Sequence, residues 1–223
     1  SRLTLINTAI KNINAKIGSF IVIESLSSLI IKNSILDSCS FPRGFIANQV
    51  GQGEVPEILI DDFIFTNYDP SHVGEPAAAS YVFIALEVNT IPSLVIQNSV
   101  FRDTIFTDFF GFIRLNIKDG GGLISFSNVT IQNITMTTWH FLKCFCTQAT
   151  LLVDNLRAIN NTLIGNNPAF FDVLDAAKIE INNTLFNGLT DLNSRSNQLN
   201  PIKVSRCPKA LLNNITLYDL RTF

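Results

Sequence analysis

The stretch SLVIQNSVFRD, residues 93–103, decides the fold of this 223-residue chain. Leu94 and Ile96 are apolar residues two positions apart, a single Asn98 follows, and a further apolar residue stands at Phe101. A spacing of two places side chains on the same face of a β-strand, whereas helical spacing alternates between three and four residues. The stretch therefore predicts two short strands that meet at a bend near Asn98.

The same layout recurs along the whole chain, which indicates a repeat architecture. The residues that correspond to Asn98 form a polar column of eight positions: Asn7, Asn33, Asp62, Asn98, Asn128, Asn155, Asn183 and Asn214. Apolar residues stand two and four positions before each member and three positions after it. Successive members are between 26 residues apart (Asn7 to Asn33) and 36 residues apart (Asp62 to Asn98), a range typical of solenoids.

Each repeat also contains a second short apolar run, such as FIAL at 83–86 and FIRL at 112–115. Aligning these runs on their first residue places Asp172 of FDVL (171–174) in the column that points inward. A second polar column, five positions after the first, predicts another bend: Asn12, Ser38, Asn67, Asp103, Asn133, Asn160, Gly188 and Asp219.

These columns predict an all-β fold, a parallel β-helix solenoid in which each repeat is one coil of about three strands. We expect about eight coils, one for each copy of the repeat, in one domain that spans residues 1–223. No run of about 10 to 12 residues has an amphipathic helical period, which argues against repeats that contain a helix. Coils stack about 4.8 Å apart, so each column becomes a ladder. We expect an inward asparagine ladder, whose side-chain amides bond one another and cap backbone groups at the bend.

With this repeat and ladder, the chain resembles the right-handed parallel β-helix, or pectin-lyase-like, superfamily. The phrases NSVFRD, FIFTN and GGLISFSN also resemble repeats of large surface proteins and adhesins of bacteria and protists. The resemblance implies a single-stranded right-handed solenoid in an extracellular or cell-surface setting. The superfamily contains both structural fibres and enzymes that act on acidic polysaccharides, so the fold alone leaves both functions open.

Enzyme motifs of that superfamily are nearly absent. Polygalacturonases of this fold carry NTD, DD, GHG and RIK motifs, and only the pair Asp61 and Asp62 matches. Asp62 already occupies the ladder column. Pectate lyases combine calcium-binding aspartates with a catalytic arginine, but no carboxylate cluster is expected beside Arg114. We therefore expect no catalytic residue, no cofactor and no metal site from these motifs.

One insertion remains as a candidate site. The segment 67–80 makes its repeat the longest, and it contains Asp69, His72 and Glu75. Carboxylates and a histidine can bind a metal or act as acid and base. A solvated loop is the alternative interpretation.

The composition and charge of the chain argue against some classes of binding partner. A formal net charge of -2 argues against nucleic-acid binding. The longest uncharged stretch, residues 120–142, is rich in Ser, Thr and Asn, so no membrane span is expected. Charged residues make up only 15%, and an outward column is apolar at Ile35, Ile64 and Val100. This column predicts lateral contact with a partner, unless it is a set of scattered surface hydrophobes.

The repeat pattern is already present at Leu3 and continues to Phe223, and neither end of the sequence shows a capping sequence. We expect a section of a longer chain, a processed product or a subunit that stacks end to end. The expected partners are therefore further copies or neighbouring domains, with carbohydrate as a second class. The best function from sequence is a structural fibre, coat or adhesin segment, with a carbohydrate-active enzyme or binding module as the alternative.

Five glycosylation sequons occur, at Asn128, Asn133, Asn160, Asn182 and Asn214. The predicted inward ladder excludes a glycan at Asn128 and Asn214. Asn182 lies in an outward column and is the first candidate, followed by Asn133 and Asn160.

The four cysteines force no pairing. Cys144 and Cys146 lie two positions apart on the inward face of a strand, as small core residues or near the upper limit for a disulfide. Cys39 and Cys207 remain open to an intermolecular link.

Overall fold

The computed structural model describes residues 1–15, 18–23, 26–41, 44–48, 56–68, 83–106, 112–136, 140–164, 168–192 and 199–222. All the regular structure in these ranges is β, and every strand pairing between neighbouring turns is parallel. The chain winds through two sheets that face each other across one apolar core.

The main strands of the first sheet stack in chain order: β1 (Arg2–Ile6), β4 (Ser28–Asp37), β6 (Glu57–Thr66), β8 (Ser93–Gln97), β11 (Leu123–Met136), β13 (Thr150–Ile159), β16 (Lys178–Asn187) and β19 (Ala210–Tyr218). Short strands continue this sheet past the bends: β2 (Ala9–Lys11), β9 (Val100–Phe106), β14 (Thr162–Leu163), β17 (Thr190–Asp191) and β20 (Arg221–Thr222). The second sheet contains β3 (Ile21–Ile23), β5 (Ile46–Asn48), β7 (Ile84–Val88), β10 (Ile113–Ile117), β12 (His140–Cys146), β15 (Ala169–Leu174) and β18 (Asn200–Ser205).

The predicted all-β parallel β-helix is therefore confirmed. Within the described ranges the second sheet holds seven strands, so the chain completes fewer circuits than the eight coils that the sequence predicted. Eight copies of the repeat give only seven second-sheet strands, because the last copy, β19, is not followed by a further second-sheet strand within the described residues.

Strand register places the predicted columns in line. Leu94 pairs with Ile58 on one side and Ile124 on the other, and Ile96 pairs with Ile60 and Phe126. All of these side chains are buried. Alternation along each strand thus produces continuous apolar columns, and burial of these columns is the main stabilisation of the fold.

A stack of phenylalanine rings runs through the core behind the second sheet, one ring per turn: Phe20, Phe45, Phe83, Phe112, Phe141 and Phe170. Successive ring centroids lie 4.7 to 5.3 Å apart, close to the strand spacing. Each such pair contributes about 0.5–1.5 kcal/mol beyond its buried area.

The ring stack also corrects one predicted alignment. Phe171, not Asp172, pairs with Leu142, and Asp172 pairs with Lys143 in an outward column. The adjacent residues Phe170 and Phe171 offer two alignments that differ by one residue. Only one of them keeps the Asp172 carboxylate out of the core, and the cost of burying a charge selects it.

Both polar columns mark bends, as predicted. Members of the first column have φ between +47° and +54°, and members of the second have φ between +51° and +68°. This left-handed region is costly for residues with a Cβ atom, and Asn and Asp tolerate it best after Gly. The backbone itself therefore explains why Asn and Asp dominate these columns.

Candidate functional site

The first-bend column forms a ladder of side-chain amides on the outside of the solenoid. Nδ2 of Asn128 donates to Oδ1 of Asn98 at 3.0 Å, and Nδ2 of Asn155 donates to Oδ1 of Asn128 at 2.8 Å. Nδ2 of Asn214 donates to Oδ1 of Asn183 at 2.8 Å. In each case the later turn donates to the preceding turn, so the ladder has a direction.

The predicted inward orientation of this ladder is wrong, because all eight members are exposed. A positive φ turns the side chain out of the bend, where amides bond one another instead of the buried backbone. Two rungs also use the column one residue earlier: Asn98 donates to Asp61 at 2.9 Å, and Asn183 donates to Asp154 at 2.8 Å. Asp62 keeps the bend, with φ of +51°, while its neighbour Asp61 accepts the hydrogen bond.

A second ladder, which the sequence interpretation missed, lies inside the same bend. Oγ of Ser99 donates to the carbonyl of Gln97 at 2.6 Å and accepts the backbone N–H of Phe63 at 3.2 Å. Oγ of Ser34 does the same with Lys32 (2.6 Å) and Thr8 (3.1 Å). The available signal was the Ser or Thr that directly follows the anchor, because such hydroxyls bond backbone groups two residues away.

The outside of the second bend is also bonded from turn to turn. Nδ2 of Asn67 donates to Asp37 at 2.9 Å, and Nδ2 of Asn133 donates to Asp103 at 2.9 Å. Hydrogen bonds from Asn67 and then Ser38 lower the pKa of Asp37. Here an amide of the later turn meets a carboxylate of the preceding turn.

Side-chain exposure changes the ranking of the five sequon asparagines as glycan acceptors. Asn133 and Asn160 are exposed at the second bend. Asn182 is only half-buried, but its Oδ1 is enclosed and has no hydrogen-bond partner among the described residues. Asn128 and Asn214 are exposed, so the argument that excluded a glycan there no longer holds.

The second sheet carries a charged cluster around a shallow cavity of about 220 Å³, lined by Lys143, Cys144, Phe145, Asp172, Leu174, Lys203 and Ser205. Lys203 Nζ lies 3.8 Å from Asp172 Oδ1, and Lys143 Nζ lies 5.6 Å from the centre of the Phe145 ring. Phe145 is 41% exposed. An exposed ring beside charged groups offers both a stacking surface and polar contacts.

His140 lies beneath this cluster at the start of β12. Its Nδ1 is 3.3 Å from the carbonyl oxygen of Ala169, and its Nε2 is 3.3 Å from Oδ2 of Asp172. Burial lowers the pKa of His140 to about 4, although the Asp172 carboxylate acts in the opposite direction. The ring is buried and neutral at pH 7, so we assign it to structural support of the cluster.

The edge strand β19 exposes columns that are buried elsewhere. Leu212 is 51% exposed, although the residue that pairs with it, Ile181, is buried. Leu217 is 52% exposed above the buried Phe186. An exposed parallel strand of this kind can pair with a further strand.

The outward apolar column is in register across its turns, since Ile64 pairs with Ile35 and with Val100. These three side chains are half-buried on the outer surface. The column therefore exists as a surface feature, while its lateral contact stays a prediction.

Asp69, His72 and Glu75 of the insertion lie outside the described residues. Within the described ranges no group of three or more His, Cys, Asp or Glu side chains is placed to hold a metal ion. Arg114 lies in the outward column of the second sheet, where it pairs with Ala85 and Lys143.

Cys144 and Cys146 both point into the core with Cα atoms 5.3 Å apart, and the structure pairs their sulfur atoms. Cys39 is a buried free thiol, and burial raises its pKa. Cys207 is a free thiol near the β19 edge.

Comparison with known proteins identifies no relative: no family model, no curated protein and no solved structure matches the chain. Across the part of the chain that the structure describes, no helix is long and apolar enough to cross a membrane.

Proposed function

We propose that this chain is a structural segment of an extracellular fibre, coat or adhesin, built from stacked parallel β-turns. The observation that carries the proposal is the turn-to-turn bonding of the stack, in which Nδ2 of Asn155 donates to Asn128 and Nδ2 of Asn128 donates to Asn98. On β19 the core columns end in the half-exposed Leu212 and Leu217, and burying such a side chain completely against another turn contributes about 1.5–3 kcal/mol. A turn of a second copy or of the same polypeptide can supply that cover.

The mechanical role follows from the bonding pattern. Backbone hydrogen bonds, the outer amide ladder and the phenylalanine stack all run along the axis of the solenoid. Because each turn is bonded to both neighbours, bending the rod would strain all three ladders at once. The outward column of Ile35, Ile64 and Val100 gives the rod a lateral contact surface.

The test is assembly of the 223-residue chain, followed by sedimentation velocity and electron microscopy over a wide concentration range. We expect rods that lengthen with concentration. The double variant Leu212→Asp with Leu217→Asp should stay monomeric, while its circular dichroism spectrum stays that of the wild type. Leu211→Asp is the matched control, because Leu211 is 48% exposed on the same strand but pairs with the outward Glu180. Monomers at all concentrations would contradict self-stacking.

The exposed Phe145 supports a second candidate, a carbohydrate-binding module of the pectin-lyase-like superfamily. Sugar rings stack on exposed aromatic rings, and the neighbouring Lys143 and Lys203 supply hydrogen-bond donors. Calorimetric titration with a panel of neutral and acidic oligosaccharides tests this function. Saturable binding that Phe145→Ala abolishes would favour it, and the absence of binding across the panel would remove it.

A further inference from the structure

We propose that the Asp172–Lys203 pair on the second sheet binds a hydroxyl group of a neutral saccharide whose ring packs on Phe145. This inference rests on the carbohydrate-binding function given above as the second candidate, and it names the sugar class and the group that is recognised. The surface that binds consists of two outward columns in register, Lys143, Asp172 and Lys203 in one and Phe145, Leu174 and Ser205 in the other.

The ion pair between Asp172 and Lys203 leaves a gap. Nζ of Lys203 lies 3.8 Å from Oδ1 of Asp172, beyond the roughly 2.7–2.9 Å of a charge-assisted hydrogen bond. By contrast, Arg206 contacts Asp175 at 2.7 Å between the same two turns. A single oxygen atom can lie about 2.8 Å from both Nζ and Oδ1, so the gap has the size of one hydroxyl group.

A hydroxyl group also has the matching chemistry. It accepts a hydrogen bond from the lysine ammonium, which can only donate, and it donates to the aspartate carboxylate, which can only accept. A carboxylate of a ligand has no proton to donate and would lie against the negative charge of Asp172. The cations already face partners, since Lys203 faces Asp172 and Nζ of Lys143 lies 5.6 Å from the centre of the Phe145 ring. The cluster therefore favours a neutral saccharide over an acidic one.

The interior of the stack holds Asp172 in place. Its Oδ2 lies 3.3 Å from Nε2 of the buried His140, so Oδ1 is the oxygen that faces Lys203. The side chain of Asp172 is only 18% exposed, and its strand, β15, pairs with β12 on one side and β18 on the other. A carboxylate that is fixed before the ligand arrives loses little conformational freedom on binding.

Phe145 supplies a stacking surface at the right separation for one sugar ring. Its ring is 41% exposed, one strand away from Asp172 and two residues further along, which is about 4.8 Å across and about 6.6 Å along the strands. The cavity volume of about 220 Å³ is below the roughly 300–1,000 Å³ of pockets that enclose drug-sized ligands. The site thus accommodates a single ring, with its apolar face on Phe145 and a hydroxyl group at Asp172.

The test is calorimetric titration of the full 223-residue chain with neutral oligosaccharides and with the uronates of the same linkage, at low and at high salt. We expect a neutral saccharide to bind with an affinity that salt leaves unchanged, because no net charge is neutralised. The matching uronate should bind about fivefold more weakly, since its charge lies near the Asp172 carboxylate.

Two variants test the bridging hydroxyl. Lys203→Met removes the donor at a side chain that is 47% exposed, so the fold should be retained, and it should weaken binding about tenfold. Asp172→Asn keeps the size of the side chain, removes its charge and should weaken binding to a similar extent. Asp175→Asn is the matched control, because Asp175 pairs with Arg206 and does not line the cavity. The control should bind like the wild type, and circular dichroism should confirm the fold of all three variants.

Monodeoxy analogues of the bound sugar identify the hydroxyl group itself. For one of these analogues, Lys203→Met should cause no further loss of affinity, because the bridged group is already missing. Losses in both cluster variants but not in Asp175→Asn, together with such an analogue, support the proposal.

The contrary outcomes separate this inference from the function on which it rests. A preference for uronates that declines with salt, or neutral binding that neither cluster variant weakens, would overturn the hydroxyl site and leave carbohydrate binding standing. If no saccharide of the panel binds the wild-type chain, both the site and the carbohydrate-binding function fail.

Discussion

Replacement of Gly122 by alanine is an informative single change, because this residue lies where one turn of the solenoid closely approaches the backbone of the preceding turn. A Cβ atom at position 122 would lie 1.7 Å from the backbone oxygen of Ile91 and 3.2 Å from its Cγ2. A backbone oxygen cannot rotate away as a side chain can. The turn that contains Gly122 must therefore move by more than an ångström from the turn before it.

The cost follows from the hydrogen bonds on either side of that contact. The N–H of Leu123 donates to the carbonyl of Pro92 at 3.2 Å, and the carbonyl of Gly122 accepts the N–H of Thr150 at 2.8 Å. Moving the turn weakens both bonds, and each buried group left unpaired costs about 1–3 kcal/mol. Added to the strain of overpacking, the expected loss in the free energy of unfolding is about 3–5 kcal/mol.

The assay is urea denaturation followed by circular dichroism, with Gly120→Ala as the matched control. A Cβ atom at Gly120 would meet the tip of the Thr90 side chain at 2.4 Å, and that side chain can change rotamer. The control should therefore lose no more than about 1.5 kcal/mol. Equal losses for the two variants, or a wild-type midpoint for Gly122→Ala, would refute the close approach of these turns.

Three further predictions follow from the ladders and the buried histidine. Asn98→Leu should lower the free energy of unfolding by about 1–3 kcal/mol, because leucine tolerates the left-handed bend poorly and removes two ladder hydrogen bonds. Asn98→Gly should lower it less, because glycine tolerates the bend. The reverse order of the two denaturant midpoints would contradict this account. Because burial depresses the pKa of His140 to about 4, the unfolded chain binds a proton more readily between pH 6.5 and pH 4. The free energy of unfolding of the wild type should fall by up to about 3 kcal/mol as the pH decreases over that window. For His140→Gln, the free energy of unfolding should depend less steeply on pH. The same pH dependence for both proteins, in thermal melts at several pH values, would argue against the buried neutral ring. If the protein passes through a eukaryotic secretory pathway, peptide mass spectrometry should find more glycan at Asn133 and Asn160 than at Asn182, and the opposite ranking would mean that side-chain exposure does not govern acceptance.

The sequence predicted the repeat, the inward apolar columns and both polar bends because these properties depend on the order of residues within one turn. Period-two alternation determines which face a side chain occupies, and residues that tolerate positive φ reveal where the strand must bend. A missed case is the third bend, at Gln148, Asp175 and Arg206, because Gln and Arg give no such signal and the one Asp does not recur as a column.

The candidate sites were less predictable, because they depend on contacts between residues about 30 positions apart. The pairing of His140 with Asp172 joins neighbouring turns, and a one-residue change of alignment at Phe170 and Phe171 decides whether it forms. The exposed cluster at Phe145 likewise requires three consecutive turns in register. A sequence pattern that repeats imperfectly leaves that register undetermined.

By itself, then, the sequence determined that this chain is a parallel solenoid with asparagine-rich bends, since local alternation and backbone preference suffice for that. Only the tertiary structure decided which way the ladder faces and whether Asp61 or Asp62 accepts its hydrogen bond. It also decided which turns enclose Gly121 and Gly122, whose nearest backbone neighbours are Gln148 and Ile91. The physical reason is that stacking energy is shared between turns, so the lowest-energy register and orientation are properties of the assembled stack.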